Sequence, residues 1–214
     1  MKTNILFISA VITILSFTSC DNTKKSEKEN SNDMSSMKDS SMKENSGMKM
    51  EDTKDEAPIQ VVDLGEVDIT VKKELAQSLS AYYEIKNALV IDDNKLAKQK
   101  AASFLKFINK VETNKMTEVQ KNFYEKEFEK IKNDAQHISE TDKVDHQRDH
   151  FSTLSTNVYT VVKNFKASEA KVYYDHCPMA LQSKGADWIS EKEEIKNPYM
   201  GSAMPTCGSM TESF

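Results

Sequence analysis

Apolar residues recur along this chain at different spacings, and one long stretch has almost none. They are nearly continuous from Ile5 to Phe17, whereas Asp21 to Ala57 contains no aromatic residue and no Leu, Ile or Val. Ile59 to Val71 alternates in part, and a helical spacing then sets in through Val71, Leu75, Leu79, Tyr82, Ile85 and Leu89. Asp92-Asp93-Asn94 interrupts it and offers an N-cap to a second run through Leu96, Ala101, Phe104, Leu105, Ile108 and Val111. A third run, entered through Thr113 to Thr117, uses Tyr124, Phe128, Ile131, Ala135 and Ile138. A fourth uses Val144, Phe151, Leu154, Val158, Val161, Val162 and Phe165. Short connections favour antiparallel neighbours, so a mainly α chain is predicted: an up-down four-helix bundle over 59–168. Beyond Phe165 the periodicity stops and turn residues concentrate. Val172-Tyr173-Tyr174 reads as a short strand, and 169–214 as a loop or β-hairpin extension packed on the bundle within the same domain.

The apolar run at the start is about 13 residues long, too short for a span of about 20 and right for the core of a signal peptide. It follows Met1-Lys2 and ends in Phe17-Thr18-Ser19-Cys20, small residues leading into a cysteine. This resembles a bacterial lipoprotein signal over 1–19, although Phe17 stands where Leu is usual. The resemblance implies that Cys20 is lipidated and becomes the first mature residue; ordinary secretion with cleavage elsewhere is the alternative. The expected location is a membrane-anchored lipoprotein facing the periplasm or the cell surface, where thiols tend to oxidise.

Residues 20–58 are rich in Ser, Asn, Lys, Glu and Asp, a composition that cannot offset chain entropy by burial and predicts a disordered tether. Yet Met34, Met37, Met42, Met48 and Met50 fall within it. A thioether is a soft donor that suits Cu(I) or Ag(I), needs no deprotonation and cannot be lost to a disulfide. These five are further candidate ligands for weak, shared capture, as in the Met-rich arms of copper and silver resistance proteins, which they resemble. Accidental Met in a low-complexity linker is the other reading.

The tail repeats one chemistry twice, as Cys177-x-Met179 and Met204-x-x-Cys207, each stiffened by a proline, Pro178 or Pro205. If the two turns meet, Cys177, Met179, Met204 and Cys207 offer two thiolates and two thioethers to one ion, a set that selects soft Cu(I) or Ag(I). His176 is adjacent, but neighbouring strand residues point to opposite faces, so it ranks below the sulfurs. Met200 and Met210 are outer or alternative ligands. The rival is a Cys177–Cys207 disulfide, closing a loop of about 30 residues and contributing roughly 3–4 kcal/mol; the two states can alternate with redox conditions. Trp188 and Tyr199 are the expected apolar anchors of the tail. His137, His146 and His150 lie in or near the last two helical runs. His146 and His150 are one turn apart and able to share a metal, but both sit off the stripe that carries Phe151, which favours a solvated face.

The strings YYDHCPMA (Tyr173 to Ala180), GADWI (Gly185 to Ile189) and IKNPYMGSAMPTCG (Ile195 to Gly208) resemble the signature of domain of unknown function 3347, as do His150-Phe151 and Leu154-Ser155. The resemblance runs from about Val71 to Phe214. It implies a helical bundle with a Cys-Pro-Met tail, found in lipoproteins and fused to periplasmic adaptor subunits of heavy-metal efflux systems. The family pattern matches Cys177, Met179, Met204 and Cys207; at Met200 and Met210 it more often has other residues.

Composition narrows the function further. A net charge of −5 from 29 basic and 34 acidic residues argues against a nucleic-acid partner held by phosphate contacts. Only five Gly and four Pro favour long helices over a many-turned sandwich. There is no Ser-His-Asp arrangement, Gly-rich phosphate loop or Cys-x-x-Cys pair, so no enzymatic activity is expected. The leading expectation is a membrane-tethered Cu(I)/Ag(I) binder in copper handling, resistance or efflux, with a metal-efflux adaptor or a cuproenzyme as partner. A structural or interaction module stapled by Cys177–Cys207 is the alternative.

Overall fold

The computed structural model describes residues 61–214, all of which fall in one compact unit. Four long helices form where the periodic runs lie: α1 (Ile69–Val90), α2 (Asn94–Ile108), α3 (Glu118–Glu140) and α4 (Val144–Phe165). Each of the first three starts at a side-chain cap. Asp68 accepts from the Thr70 amide at 2.7 Å and Asp93 from the Leu96 amide at 2.9 Å. Thr117 and Gln120 form a reciprocal capping box. Helix α4 ends where Lys166 takes a left-handed conformation, φ 51°.

Consecutive helices pack on one another and α1 also meets α4, so the apolar stripes face a shared core. Val71, Leu75, Leu79, Tyr82, Ile85 and Leu89 of α1 are all buried, as are Phe104, Ile108, Tyr124, Ile131, Phe151, Leu154, Val158 and Phe165. Each such side chain contributes about 1.5–3 kcal/mol relative to exposure. Buried amides tie the ends of the elements together: Gln120 donates to the carbonyls of Leu64 (2.8 Å) and Glu66 (2.9 Å), and Gln147 to those of Asn94 and Thr141 (both 2.9 Å). Among the described residues no helix is long and apolar enough to cross a membrane.

The tail is more ordered than a loop or a hairpin. Strands β1 (Tyr173–Cys177), β2 (Ala186–Ser190) and β3 (Ser209–Ser213) form an antiparallel sheet in the order β2-β1-β3. The expected strand at Val172–Tyr174 starts one residue later and runs on to Cys177, which places Cys177 opposite Ala186 and Asp175 opposite Trp188. The last residues return to pair with the other edge of β1, a long-range contact that local turn signals do not carry.

The sheet is held to the helices through β2. Trp188 and Ile189 are fully buried, and Trp188 meets Tyr199 edge-on at 5.9 Å; Tyr199 in turn meets Phe151 of α4 at 5.9 Å. The Tyr82 hydroxyl lies 2.6 Å from Ser155 Oγ and accepts from the Ile189 amide at 3.3 Å, joining α1, α4 and β2 at one atom. Lys86, fully buried, reaches Ser190 Oγ (3.1 Å) and Glu191 (2.6 Å). Burial lowers its pKa, and the neighbouring carboxylate opposes that. At the opposite edge Lys163 of α4 pairs with Glu212 of β3 at 2.6 Å.

Removing the shared hydroxyl tests this joint. Tyr82→Phe leaves the Ile189 amide and Ser155 without their buried partner, and urea unfolding should show a loss of about 1–3 kcal/mol at unchanged helix content.

Candidate functional site

Cys177 ends β1 with its side chain facing the core. Along β1 the burial alternates, with Asp175 and Cys177 inward and His176 on the other face. His176 therefore turns away from the cysteine beside it, and its Nδ1 meets Asp187 Oδ1 at 2.8 Å. Cys207 comes from the segment that returns between β2 and β3. The two sulfurs, thirty positions apart, stand 2.9 Å from each other, and both cysteines are free thiols. Cys177 is fully buried and Cys207 half-buried, so the pair is reached from the Cys207 side. The hydrogen bond to Cys177 raises the Cys207 thiol above its ordinary pKa, so its thiolate forms less readily.

Three devices place Cys207. The first is Asn197, fully buried. Its amide nitrogen donates to the Cys207 carbonyl at 2.6 Å, its side-chain oxygen accepts from the amides of Tyr199 (2.7 Å) and Met200 (2.9 Å), and its backbone amide donates to the Pro205 carbonyl at 2.8 Å. The second is a clamp from the helices. Arg148 of α4 bonds the Pro198 carbonyl (2.8 Å), the Leu89 carbonyl (3.2 Å) and Asp92 (2.6 Å), and Asp92 accepts from the Ser202 amide at 2.9 Å and from its hydroxyl. The bonds from Ser202, with the Arg148 guanidinium adding to them, hold the Asp92 carboxyl down at about 2. Gly201 fits beneath this clamp at φ +53°; a Cβ there would stand 2.0 Å from Asp92 Oδ1. The third is Gly208, where a Cβ would fall 2.7 Å from the His176 carbonyl oxygen and 2.9 Å from Trp188. Any side chain at this position would push Cys207 away from β1.

The methionines behave differently. Met179 follows Pro178 and is 50% exposed; Met204 is 36% exposed, in the turn whose carbonyl accepts from the Cys207 amide at 3.2 Å. Neither is enclosed with Cys177. Met200 packs partly buried against the core, and Met210 is exposed on β3. The signal segment 1–19, the tether 20–58, Cys20 and the arm methionines Met34, Met37, Met42, Met48 and Met50 lie outside the described residues.

Beside the thiols is a buried acid. Asp175, two residues before Cys177 on the same face, has both carboxylate oxygens buried without a hydrogen-bond partner, and burial raises its pKa to about 6 against the attraction of Lys86. Sequence reading singled out neither Asp175 nor Asn197. The Asn-Pro step at 197–198 is a turn signal that fits an Asx-type cap, but its burial depends on β2 and β3 flanking it.

The molecule is thus a mainly helical domain bearing a small sheet with a thiol pair at the end of its central strand. Residues 78–170 match the family model described as Protein of unknown function (DUF3347). That match supports the domain family expected from the sequence and includes His150-Phe151 and Leu154-Ser155. It ends before β1, so the tail strings from Tyr173 to Gly208 lie outside it, and the likeness is shorter than the stretch from Val71 to Phe214 expected from the sequence. No curated protein and no solved structure matches the chain.

Two outcomes check this geometry. The folded Asp175 carboxyl titrates near 6 against about 3.9 unfolded, so the folded state binds the proton more tightly. Its stabilisation is complete below about pH 4 and is lost as pH rises through 6, on the order of 2–3 kcal/mol. Unfolding measured from pH 4 to 7 should show that fall in wild type and a flatter profile in Asp175→Asn. Asn197→Ala, which frees the Cys207 carbonyl and the return segment, should destabilise by about 2–3 kcal/mol. It should also slow oxidation of the two thiols to a disulfide, read by mass spectrometry after a limiting dose of oxidant.

Proposed function

We propose that this protein is a membrane-anchored, extracytoplasmic binder of soft monovalent metal, Cu(I) or Ag(I), working in copper handling, resistance or efflux. The observation that carries the reading is the approach of Cys177 and Cys207, two free thiols brought to 2.9 Å by segments thirty residues apart. Two thiolates on one ion with metal–sulfur distances of about 2.3 Å stand roughly 3.8 Å apart in tetrahedral geometry. The pair therefore opens by about 1 Å to share an ion, a movement open to half-buried Cys207. Met179 and Met204, chain neighbours of the thiols with exposed thioethers, complete a soft donor set once they fold inward. Uptake displaces the thiol protons, so affinity rises with pH, and the rise extends to higher pH because the hydrogen bond to Cys177 raises the Cys207 pKa. Anchoring through Cys20, capture by Met34 to Met50, the up-down order of the helices and delivery to an efflux adaptor or cuproenzyme belong to the same reading. The protein acts as a binder, with no catalytic role.

The sulfur approach also favours a second reading. Thiol–disulfide exchange with a partner disulfide would join the two sulfurs, passing two electrons and two protons to the partner, which leaves as a dithiol. The product is a stapled tail that no longer offers thiolates.

Anaerobic, reduced protein is titrated against a chromophoric Cu(I) chelator. Wild type should withdraw one tightly held Cu(I), while Cys177→Ser or Cys207→Ser should weaken that ion by at least about 100-fold. Deleting residues 31–51 should remove only weakly held ions. Reduced wild type that withdraws no copper overturns the metal reading. Absence of free thiols in protein taken directly from cells then leaves the staple.

A further inference from the structure

Three of the chain's four histidines gather at a place the thiol pair does not use. His137 belongs to the last turns of α3, and His146 and His150 to the first turns of α4, so the short connection between the helices folds them onto one patch. One ring nitrogen from each lies within 4.8 Å of the others. His137 and His150 stack in parallel with centroids 4.3 Å apart, and His146 stands against His150 at 4.7 Å and 66°.

A surface cluster of imidazoles alone could be an accident of helix faces. The buried carboxylate behind it separates the two cases. Asp134, one turn before His137 on α3, is 8% exposed, and its Oδ1 meets His150 Nδ1 at 3.0 Å. A proton on Nδ1 donated to that carboxylate leaves the Nε2 lone pair free to point outward. Metal-binding histidines are characteristically oriented this way. Arg148, between the two α4 histidines, faces elsewhere and clamps the return segment through Asp92 and the Pro198 carbonyl. One face of α4 thus serves the thiol loop and another the imidazoles.

We propose that His137, His146 and His150 bind a borderline divalent cation of the Zn²⁺ or Cu²⁺ kind, with Asp134 as the positioning residue for His150. Three neutral nitrogens suit such ions, whereas the thiol pair suits soft monovalent ones, so the two sites select by donor chemistry. Nitrogens bound to one ion at 2.0–2.1 Å stand about 3.3 Å apart, a contraction of roughly 1.5 Å from the present spread. His137 and His146 are exposed and free to turn toward a common point, while His150 is held in place. Three protein ligands leave a fourth position to water or an exogenous ligand. The sequence placed His146 and His150 on a solvated face; His146 is exposed, whereas His150 is half-buried against Asp134, and the third nitrogen and the carboxylate come from across the helix pair.

Co²⁺ and Zn²⁺ are the probes, applied to the full chain made without a polyhistidine tag. Co²⁺ should bind with visible ligand-field bands, without the near-ultraviolet charge-transfer band that cobalt–thiolate bonds produce, and Zn²⁺ should displace it. His137→Gln and His146→Gln, both exposed positions, should each weaken binding by more than about tenfold at unchanged apo-protein melting. Asp134→Asn should weaken it by about 10–100-fold. Cys177→Ser should leave it unchanged, so this test and the Cu(I) titration fail independently. No Co²⁺ or Zn²⁺ uptake, a thiolate band in the cobalt spectrum, or affinity unaltered by His146→Gln would each overturn the proposal.

Discussion

Asn197 uses its side chain in both directions, accepting from two successive backbone amides and donating to the carbonyl of Cys207. A return segment with no regular hydrogen-bond ladder would otherwise bury several unmet polar groups between β2 and β3, each costing about 1–3 kcal/mol. The asparagine supplies what a strand partner would supply elsewhere, and it does so next to the second sulfur. With the carbonyl of Cys207 tied down and Gly208 pressed against the His176 carbonyl, the Cys207 side chain is directed toward Cys177. Arg148, Asp92 and Ser202 add a clamp from the helices, so helix docking and thiol approach are mechanically one thing.

The neighbourhood of the thiols mixes rigid apolar support with unmet polarity. Trp188, Tyr199 and Phe151 form an aromatic ladder from sheet to bundle, and Tyr82 closes it with a hydroxyl shared between Ser155 and the Ile189 amide. Within this frame Asp175 stands inward without a hydrogen-bond partner, and burial raises its pKa. That carboxyl weakens the fold as it ionises, with the Lys86 ammonium offsetting part of the cost. It lies on the same face of β1 as Cys177. The histidine patch offers a different donor chemistry from another face of α4, so one scaffold presents soft sulfur and borderline nitrogen separately.

Much of the helical layer was legible because its signal is local. Val71, Leu75, Leu79, Tyr82, Ile85 and Leu89 share one face of a 3.6-residue period, and every one of them is buried. The break at Asp92-Asp93-Asn94 was legible as offering a cap, and within it Asp93 caps α2. The outward turn of His176 followed from strand alternation alone. Other features lacked any local trace. Lys86 is buried because Ser190 and Glu191, over a hundred positions away, meet its ammonium. The third strand pairs residues nearly forty positions apart.

The amino-acid order by itself determined which segments are helical, where α2 and α3 are entered, and which residues carry soft or imidazole chemistry, because periodicity, capping and donor type are properties of near neighbours. Only the tertiary structure decided that Cys207 lies against Cys177 while Met179 and Met204 stand in solvent, and that His137 joins His146 and His150 in front of Asp134. Those distances depend on how β3 returns to β1 and how α3 lies on α4. Both are set by burial and hydrogen-bond satisfaction summed over the whole core, which no short window of sequence contains.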